Sequence, residues 1–241
     1  MIHIFQRHCN TSTNSVDKIR PEWFTRELCF RNLSSTIIGK EVKLTILFDG
    51  KPDKEHFLND YDAKIVSMDG GSDGHSFLNA VNYVDKLDLK DDDVVYFLED
   101  DYLHTPNWVE IMNEGFEQIN ADYITLYDHK DKYFLPAYQT LQSKIIASKS
   151  SHWRTTPSTT NTYACKFKTF KKHIVIHREY CDLEKGFTRD HDKFVRLWNE
   201  QSNLISCIPG CSTHVETPYL SPCVNWEDVL YHTLNSAQYE N

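Results

Sequence analysis

The chain has 241 residues, of which 40% are hydrophobic, and a formal net charge of −9. This length suits one large domain with a sizeable core, and the negative charge argues against a surface that follows nucleic acid phosphates. No segment approaches the roughly 18 to 20 consecutive apolar residues that a membrane-spanning helix needs. The N-terminus lacks the long apolar stretch of a signal peptide. We therefore predict a single domain over residues 1–241, with no nucleic acid partner and no membrane span.

Seven cysteines are scattered along the chain without the spacing of a disulfide framework. An odd number of cysteines in this arrangement suits a reducing compartment, so we expect a cytoplasmic protein. Cys207 and Cys211, with His214 close behind, leave a zinc site open as an alternative. The segment lacks the second Cys-x-x-Cys or His-x-x-x-His half that structural zinc sites usually contain.

Residues 1–132 alternate between short apolar runs and amphipathic stretches, which is the pattern of an α/β sheet connected through helices. The runs lack polar alternation, so both faces of the sheet are predicted to be covered. The predicted strands are Ile2–Phe5, Leu44–Phe48, Lys64–Met68, Val94–Leu98 and Tyr123–Tyr127.

Two stretches between these strands have the apolar spacing of amphipathic helices, SFLNAVNYVDKL over residues 76–87 and TPNWVEIMNEGFEQI over residues 105–119. Thr105 is a predicted N-cap for the second helix, with Pro106 at its first position. Residues 133–241 contain polar strand-like pieces without a clean linker or repeat, and a late helix is predicted from Asp190. We treat residues 1–132 and residues 133–241 as the two halves of the domain.

Three acidic residues, Glu99, Asp100 and Asp101, follow the predicted strand Val94–Leu98 directly. Adjacent carboxylates repel one another, so they need water, hydrogen-bond donors or a cation to stay ionised. The turn after a strand's carboxyl end is where open α/β sheets bind ligands. A divalent cation held by carboxylates and phosphate oxygens is one way to bind a nucleoside diphosphate there. The alternative is a solvated turn that caps the next helix.

The segment VVYFLEDDYLHTPNWVEIM, residues 94–112, resembles the strand, DXD motif and helix of glycosyltransferases of the GT-A fold, particularly the large family-two type. This resemblance implies a GT-A-like, Rossmann-type mixed sheet flanked by helices. It makes residues 1–132 the nucleotide-sugar-binding half and residues 133–241 the acceptor-side half. It also implies Mn²⁺ or Mg²⁺ bound against the diphosphate of a nucleotide-sugar, with Asp101 as the direct metal ligand. Glu99 takes the motif's first position, which faces the sugar or ribose, and Asp100 lies between them.

Other segments acquire nucleotide-binding roles from the same resemblance. Arg7 lies at the end of the first strand, where such enzymes often have a polar nucleotide contact. Asp49 ends the second strand and resembles their base-binding or ribose-binding acid. The glycine-rich segment MDGGSDGHSF then places Asp69 and Ser76 near the nucleotide. By itself this segment indicates only a turn, because it contains no phosphate-loop consensus.

An inverting sugar transfer needs a carboxylate that removes the proton of the acceptor hydroxyl. The segment GFTRDHDKFVRLW resembles EDDDIFNRL of β-1,4-galactosyltransferases, which places Asp190 at the catalytic base position. Arg189 stands where that family has a glutamate. The alternative is that Asp190 only caps a helix, which aspartate does well.

His214 and Glu216 are predicted to share one face of an extended strand, because alternate residues point the same way. Many metal-dependent GT-A enzymes complete the metal site with a late histidine, and the resemblance gives His214 this role. An imidazole beside carboxylates suits Mn²⁺ better than Mg²⁺.

The segment SSHWRTTPSTTNTYACKF is a candidate acceptor wall. Trp153 is predicted to stack on a sugar ring, and Arg154 to bind hydroxyl or phosphate groups. Alternatively, Trp153 belongs to the core. Asp128 and His129, which follow the fifth strand, are further candidates for this side of the site.

Together these features predict a metal-dependent enzyme that transfers a sugar from a nucleoside diphosphate sugar to a glycan or lipid-linked acceptor, with inversion. A retaining transfer stays open, because an acidic turn with a metal serves both outcomes. A non-catalytic nucleotide-sugar or glycan-binding module is another candidate. A nucleotidyltransferase is less consistent with the sequence: such enzymes generally have a glycine-rich segment ending in Arg and Lys after strand one, and QRHCNTSTNS lacks it.

Overall fold

The computed structural model describes residues 1–12 and 15–236, and these residues form thirteen strands and eight α-helices. The strands are β1 Ile2–Cys9, β2 Val42–Asp49, β3 Lys64–Met68, β4 Val94–Glu99, β5 Tyr102–His104, β6 Tyr123–Thr125, β7 Ile145–Ala147, β8 His152–Thr155, β9 Tyr163–Lys166, β10 Cys181–Asp182, β11 Phe187–Thr188, β12 Leu204–Ile208 and β13 Ser212–His214. The helices are α1 Arg26–Thr36, α2 Asp73–Asp85, α3 Trp108–Glu117, α4 Asp131–Phe134, α5 Phe167–Lys172, α6 Ile174–Glu179, α7 Asp190–Asn199 and α8 Trp226–Ser236. None of these helices combines the length and the apolar character that crossing a membrane requires.

The chain divides into two compact units, each assembled from separate segments. The first unit contains Met1–Thr13, Glu41–Glu99 and Pro157–Leu204, and the second contains Asn14–Lys40, Asp100–Thr156 and Ile205–Asn241. The predicted α/β class, with a mixed sheet flanked by helices, is confirmed. The division into halves at residue 132 stays a prediction.

The first unit has a mixed sheet with the strand order β3-β2-β1-β4-β9. Strands β1 to β4 run parallel, and β9 pairs antiparallel with β4. Their central residues, including Ile4, Ile46 and Val95, are fully buried, as the unbroken apolar runs predict. The register places Arg7 of β1 opposite Glu99 of β4. The carboxyl ends of these strands therefore bring charged side chains to one edge of the sheet.

An aromatic core lies against this sheet in the first unit. Phe97 of β4 is 5.4 Å from Phe77 of α2 and 5.5 Å from Tyr163 of β9 between ring centres. Ser72 caps α2 by accepting a hydrogen bond from the backbone N–H of His75 at 3.3 Å. This cap fixes where α2 begins.

The second unit has the strand order β6-β12-β8-β7 and a separate β5–β13 pair. Helices α1 and α8 pack against β5 and each other through a core that includes Cys29, Leu103, Val215 and Trp226. Buried Asn32 of α1 fixes the helix to β5: its amide nitrogen donates to the His104 carbonyl, and its oxygen accepts from the His104 N–H. Neither α1 nor α8 was among the predicted elements.

The predicted start of α3 is wrong by a few residues. The helix begins at Trp108 with Asn107 as its N-cap, rather than with Thr105 as the cap and Pro106 at the first position. The backbone N–H of Thr105 instead donates to the Cys211 carbonyl at 2.9 Å. This bond continues the β5–β13 pairing, and the helix follows only after it.

Candidate functional site

The edge of the first unit's sheet contains a network centred on Arg7. Its guanidinium donates to Asp73 Oδ1 and to Glu99 Oε1, each at 2.9 Å. Burial by itself would lower the pKa of Arg7, but the two carboxylates raise that pKa above its usual value. Arg7 thus neutralises Glu99, the first acid of the triplet, and holds it at the end of β4.

Asp73, the first residue of α2, connects Arg7 to the segment that precedes α7. Its Oδ2 accepts hydrogen bonds from the Thr188 backbone N–H at 3.1 Å and from the Thr188 hydroxyl at 3.0 Å. Burial raises the pKa of Asp73, while Arg7 and Thr188 lower it more, so the net shift is downward. Asp73 is therefore an ionised link between β1 and the β10–β11 hairpin.

Asp190 is the first residue of α7, two residues beyond Thr188. The N-cap is Arg189, so Asp190 is not the capping residue that the alternative interpretation required. Its Oδ1 is buried and has no hydrogen-bond partner, and the nearest cation, Lys193 Nζ, is 3.7 Å away. Burial raises the pKa of Asp190, and Lys193 opposes that rise. A carboxylate with an unused acceptor and a raised pKa has the properties of a general base.

The predicted nucleotide contacts at β2 and β3 have local roles in the structure. Asp49 accepts the backbone N–H groups of Gly70 and Gly71, at 2.8 Å each. Gly71 has a φ of 73°, a conformation that favours glycine. Asp49 thus fixes the glycine turn, while Asp69 is exposed and its carbonyl accepts from Asn79. Their contacts with a nucleotide stay predictions.

In the second unit, Asp101 is surrounded by basic groups. Its Oδ2 lies 2.6 Å from Arg20 Nη2, 2.9 Å from His214 Nε2 and 3.3 Å from Lys18 Nζ. Burial disfavours the charged form, but these three groups hold the pKa of Asp101 well below its usual value. Asp101 is 4% exposed, and its Oδ1 has no hydrogen-bond partner.

This donor set does not fit the predicted metal site of Asp101 and His214. Oδ2 is already shared by three nitrogen groups, two of which belong to side chains that repel a divalent cation. The second nitrogen of His214, Nδ1, faces Glu216 at 3.4 Å. Within residues 1–12 and 15–236, no three His, Cys, Asp or Glu side chains form a group suited to a metal, so the Cys207–Cys211–His214 zinc alternative also fails. Asp101 and His214 instead belong to a salt-bridge cluster with Lys18 and Arg20.

Each acid of the triplet has its own basic partner. Glu99 pairs with Arg7, and Asp101 pairs with the cluster just described. Asp100 lies 3.0 Å from Arg26 Nε, at the start of α1. The repulsion between adjacent carboxylates is thus relieved by cations of the protein itself.

The acceptor-side predictions need correction. Trp153 is fully buried and its indole N–H donates to Ser148 Oγ at 3.1 Å, so the ring belongs to the core and offers no face to a sugar. Arg154 is also buried and donates to Asp128 Oδ1 at 2.6 Å. The ring of Tyr133, 55% exposed, lies 5.0 Å from the Arg154 guanidinium. The polar residues around Trp153 in the sequence therefore did not mean that its ring is exposed.

Sequence reasoning missed the basic partners Lys18 and Arg20, and also Asp73. Lys18 and Arg20 are two residues apart, so they lie on one face of an extended segment, which was an available signal. Asp73 follows the N-cap Ser72, and the sequence around it indicated only a glycine-rich turn. No local motif indicates that its carboxylate would contact Arg7, which is 66 residues away in sequence.

The sequence matches no protein-family model and no curated protein. Among solved structures, the chain is similar to a CMP:2-keto-3-deoxy-manno-octonic acid synthetase complexed with CTP, with a TM-score of 0.51, 14% identity and 99% of each chain covered. It is also similar to residues 1–349 of S. aureus TarS, with a TM-score of 0.50 and 10% identity, covering 85% of this chain and 57% of that one. At these identities the likeness concerns the fold, and it supports a GT-A-like arrangement.

Proposed function

We propose that this protein is a glycosyltransferase, similar to the family-two type, that moves a sugar from a nucleoside diphosphate sugar to a glycan or lipid-linked acceptor with inversion. The observation that carries the proposal is Asp190, whose buried Oδ1 has no hydrogen-bond partner. The charges of Asp73 and Arg7 are close enough to affect its pKa. A base is thus held beside the polar network at the edge of the first unit's sheet, where α/β folds bind ligands.

In this proposal, Asp190 accepts the proton of the acceptor hydroxyl as that oxygen attacks the anomeric carbon and the bond to the diphosphate breaks. Glu99, fixed by Arg7, contacts the sugar or ribose. Asp49 maintains the glycine turn that approaches the nucleotide. Asp73 is a positioning residue, because it fixes Thr188 two residues before the base.

The absence of a glycine-rich segment ending in Arg and Lys after β1 favours sugar transfer over nucleotidyl transfer. The residues after Cys9 are NTSTNS, which offer no such segment. A test that separates the two chemistries is to compare nucleoside diphosphate release from nucleotide-sugars with pyrophosphate release from nucleoside triphosphates. Pyrophosphate release alone would contradict the proposal.

The first prediction concerns Asp190→Asn. A screen of nucleotide-sugars for slow hydrolysis, which needs no acceptor, identifies a donor. With that donor, the variant is expected to lose about 10²-fold to 10⁴-fold in kcat, because it cannot accept a proton. Donor affinity, measured by calorimetry, is expected to stay unchanged because the asparagine preserves the side chain's shape.

The matched control is Asp192→Asn on the same helix. Asp192 is 56% exposed and its carboxylate lies 3.8 Å from Arg189. This variant is expected to retain activity. Equal losses of kcat in both variants would show that Asp190 acts only through helix stability. A wild-type chain that binds donors without turnover would be a binding module. The anomeric configuration of the product, read by NMR, separates inversion from retention.

A further inference from the structure

Positive charge from the protein occupies the position at Asp101 where the family resemblance places a divalent ion. Arg20 and Lys18 both reach Oδ2, at 2.6 and 3.3 Å. Two cations thus share one carboxylate oxygen, and Lys18 Nζ also lies 3.1 Å from His214 Nε2. A divalent ion added here would be repelled by both side chains.

The backbone holds this arrangement in place. Arg20 donates through Nη1 to the Val215 carbonyl, and the Val215 N–H donates to the Asp101 carbonyl at 2.9 Å. The Arg20 guanidinium also lies 4.4 Å from the centre of the Phe24 ring, a cation–π contact. Three separate contacts, with Asp101, the Val215 carbonyl and the Phe24 ring, therefore hold the Arg20 side chain in one position.

The two cations differ in their access to solvent. The Arg20 side chain is 13% exposed, while that of Lys18 is 29% exposed. An ammonium has three donors, and the carboxylate of Asp101 accepts only one of them. Lys18 is thus the member of the cluster that is able to contact a ligand without breaking its contact with Asp101.

We propose that Lys18 and Arg20 replace the divalent ion at Asp101, and that Lys18 binds the phosphate groups of a nucleoside diphosphate directly. This inference rests on the proposed function, which supplies the nucleoside diphosphate as the ligand. It replaces the metal dependence that the sequence resemblance implied. The ligand class is a nucleoside diphosphate, and the recognising chemistry is a charge-assisted hydrogen bond from the ammonium to phosphate oxygen.

The test is calorimetry of the full chain with UDP, GDP, ADP and CDP, each measured in EDTA and again with Mn²⁺. At least one of these nucleotides is expected to bind with a Kd that is equal within about twofold under both conditions. Binding that requires Mn²⁺ would overturn this inference and leave the proposed function standing. No binding under either condition would overturn both.

A second measurement uses Mn²⁺ alone, followed by the electron paramagnetic resonance signal of the free ion. The wild-type chain is expected not to deplete that signal. A stoichiometric Mn²⁺ site that disappears in Asp101→Asn would overturn the inference. This readout depends neither on activity nor on the identity of the nucleotide.

The variant Lys18→Met tests the phosphate contact in EDTA. It is expected to weaken nucleotide binding about tenfold or more, the usual effect of losing a charged hydrogen bond. Lys149→Met, which changes an exposed lysine of the same unit, is the matched control and is expected to bind as the wild type does. Equal affinities for the wild type and Lys18→Met would overturn the role of Lys18.

Discussion

Lys193 is a cation held almost entirely inside the first unit. Its side chain is 1% exposed, and its ammonium donates to Asn161 Oδ1 at 2.8 Å while lying 3.7 Å from Asp190 Oδ1. Three rings also surround the nitrogen, with centres 4.6 to 5.2 Å away: Phe77, Tyr163 and Phe194. Burial lowers the pKa of Lys193, and Asp190 opposes this shift. The lysine in turn limits how far burial raises the pKa of Asp190.

The variant Lys193→Met is therefore expected to raise the pKa of Asp190 further, because it removes the positive charge that lowers this pKa. The acidic limb of the pH–rate profile should move to higher pH. The direct measurement is a carbon-13 NMR titration of the Asp190 carboxyl. Lys193→Arg retains the charge and should keep the wild-type titration. Identical titrations for wild type and Lys193→Met would contradict this coupling.

The start of helix α2 and the β10–β11 hairpin form a tight junction in the first unit. Gly74 lies so close to the hairpin that a Cβ atom there would meet the Asp182 carbonyl at 3.0 Å and the Phe187 carbonyl at 3.1 Å. Beside it, the Asp73 carboxylate binds both Arg7 and Thr188. Asp73 thus fixes the segment before Asp190 relative to β1.

Removing the carboxylate in Asp73→Ala should destabilise the fold by about 3 kcal/mol, because it leaves a buried guanidinium without one of its two partners. Denaturant unfolding followed by circular dichroism gives this free energy. Glu184→Ala, which changes an exposed acid in the same hairpin, is the control and should have little effect. A loss for Asp73→Ala no larger than that of the control would show that the junction is held by packing alone.

Elements with unbroken apolar runs were predictable, and those with buried polar residues were not. Strand β3 has the predicted bounds, but β1 continues past Phe5 to Cys9. The predicted strand ends at Phe5, yet Gln6 is fully buried and His8 is 2% exposed, because β2 pairs with both residues and β4 pairs with Gln6. Helix α1 escaped prediction for a similar reason, since buried Asn32 interrupts its apolar face.

The site was predictable where it depended on local patterns. A strand end and the acidic triplet indicated Arg7 and Glu99, and the structure joins these two residues through the strand register. Asp190 was indicated by a family resemblance, and its role as a base stays a prediction. The spacing of Lys18 and Arg20 indicates a shared face, but nothing in it identifies Asp101 as their partner, which lies 83 residues beyond Lys18 in sequence. The family resemblance predicted a metal ion at Asp101. The contacts of Lys18 and Arg20 with Asp101 are tertiary contacts, which only the folded structure shows.

His104 and His177 are fully buried and His129 is partly buried, and these three histidines link the stability of the protein to pH. Burial lowers the pKa of His104 to about 3, and it lowers the pKa values of His129 and His177 well below their usual value. Unfolding releases all three to an ordinary pKa of about 6.5. Below that pH the unfolded state binds more protons than the folded state, so stability is complete above it and is lost as pH falls.

The free energy of unfolding should accordingly decrease by about 1.4 kcal/mol per pH unit for each histidine, or about 4 kcal/mol per unit for the three, as pH falls from 6.5 towards 5. Raised carboxyl pKa values at Asp128 and Asp190 act in the opposite direction, between the ordinary carboxyl pKa of about 3.9 and their raised values in the folded state.

Urea unfolding at a series of pH values measures this slope. His104→Gln should remove about a third of it, because one of the three linked groups is gone, whereas His152→Gln, at an exposed position, should leave it unchanged. A flat profile between pH 6.5 and 5 would mean that these histidines gain protons in the folded state, and hence that water reaches the interior where the structure buries them.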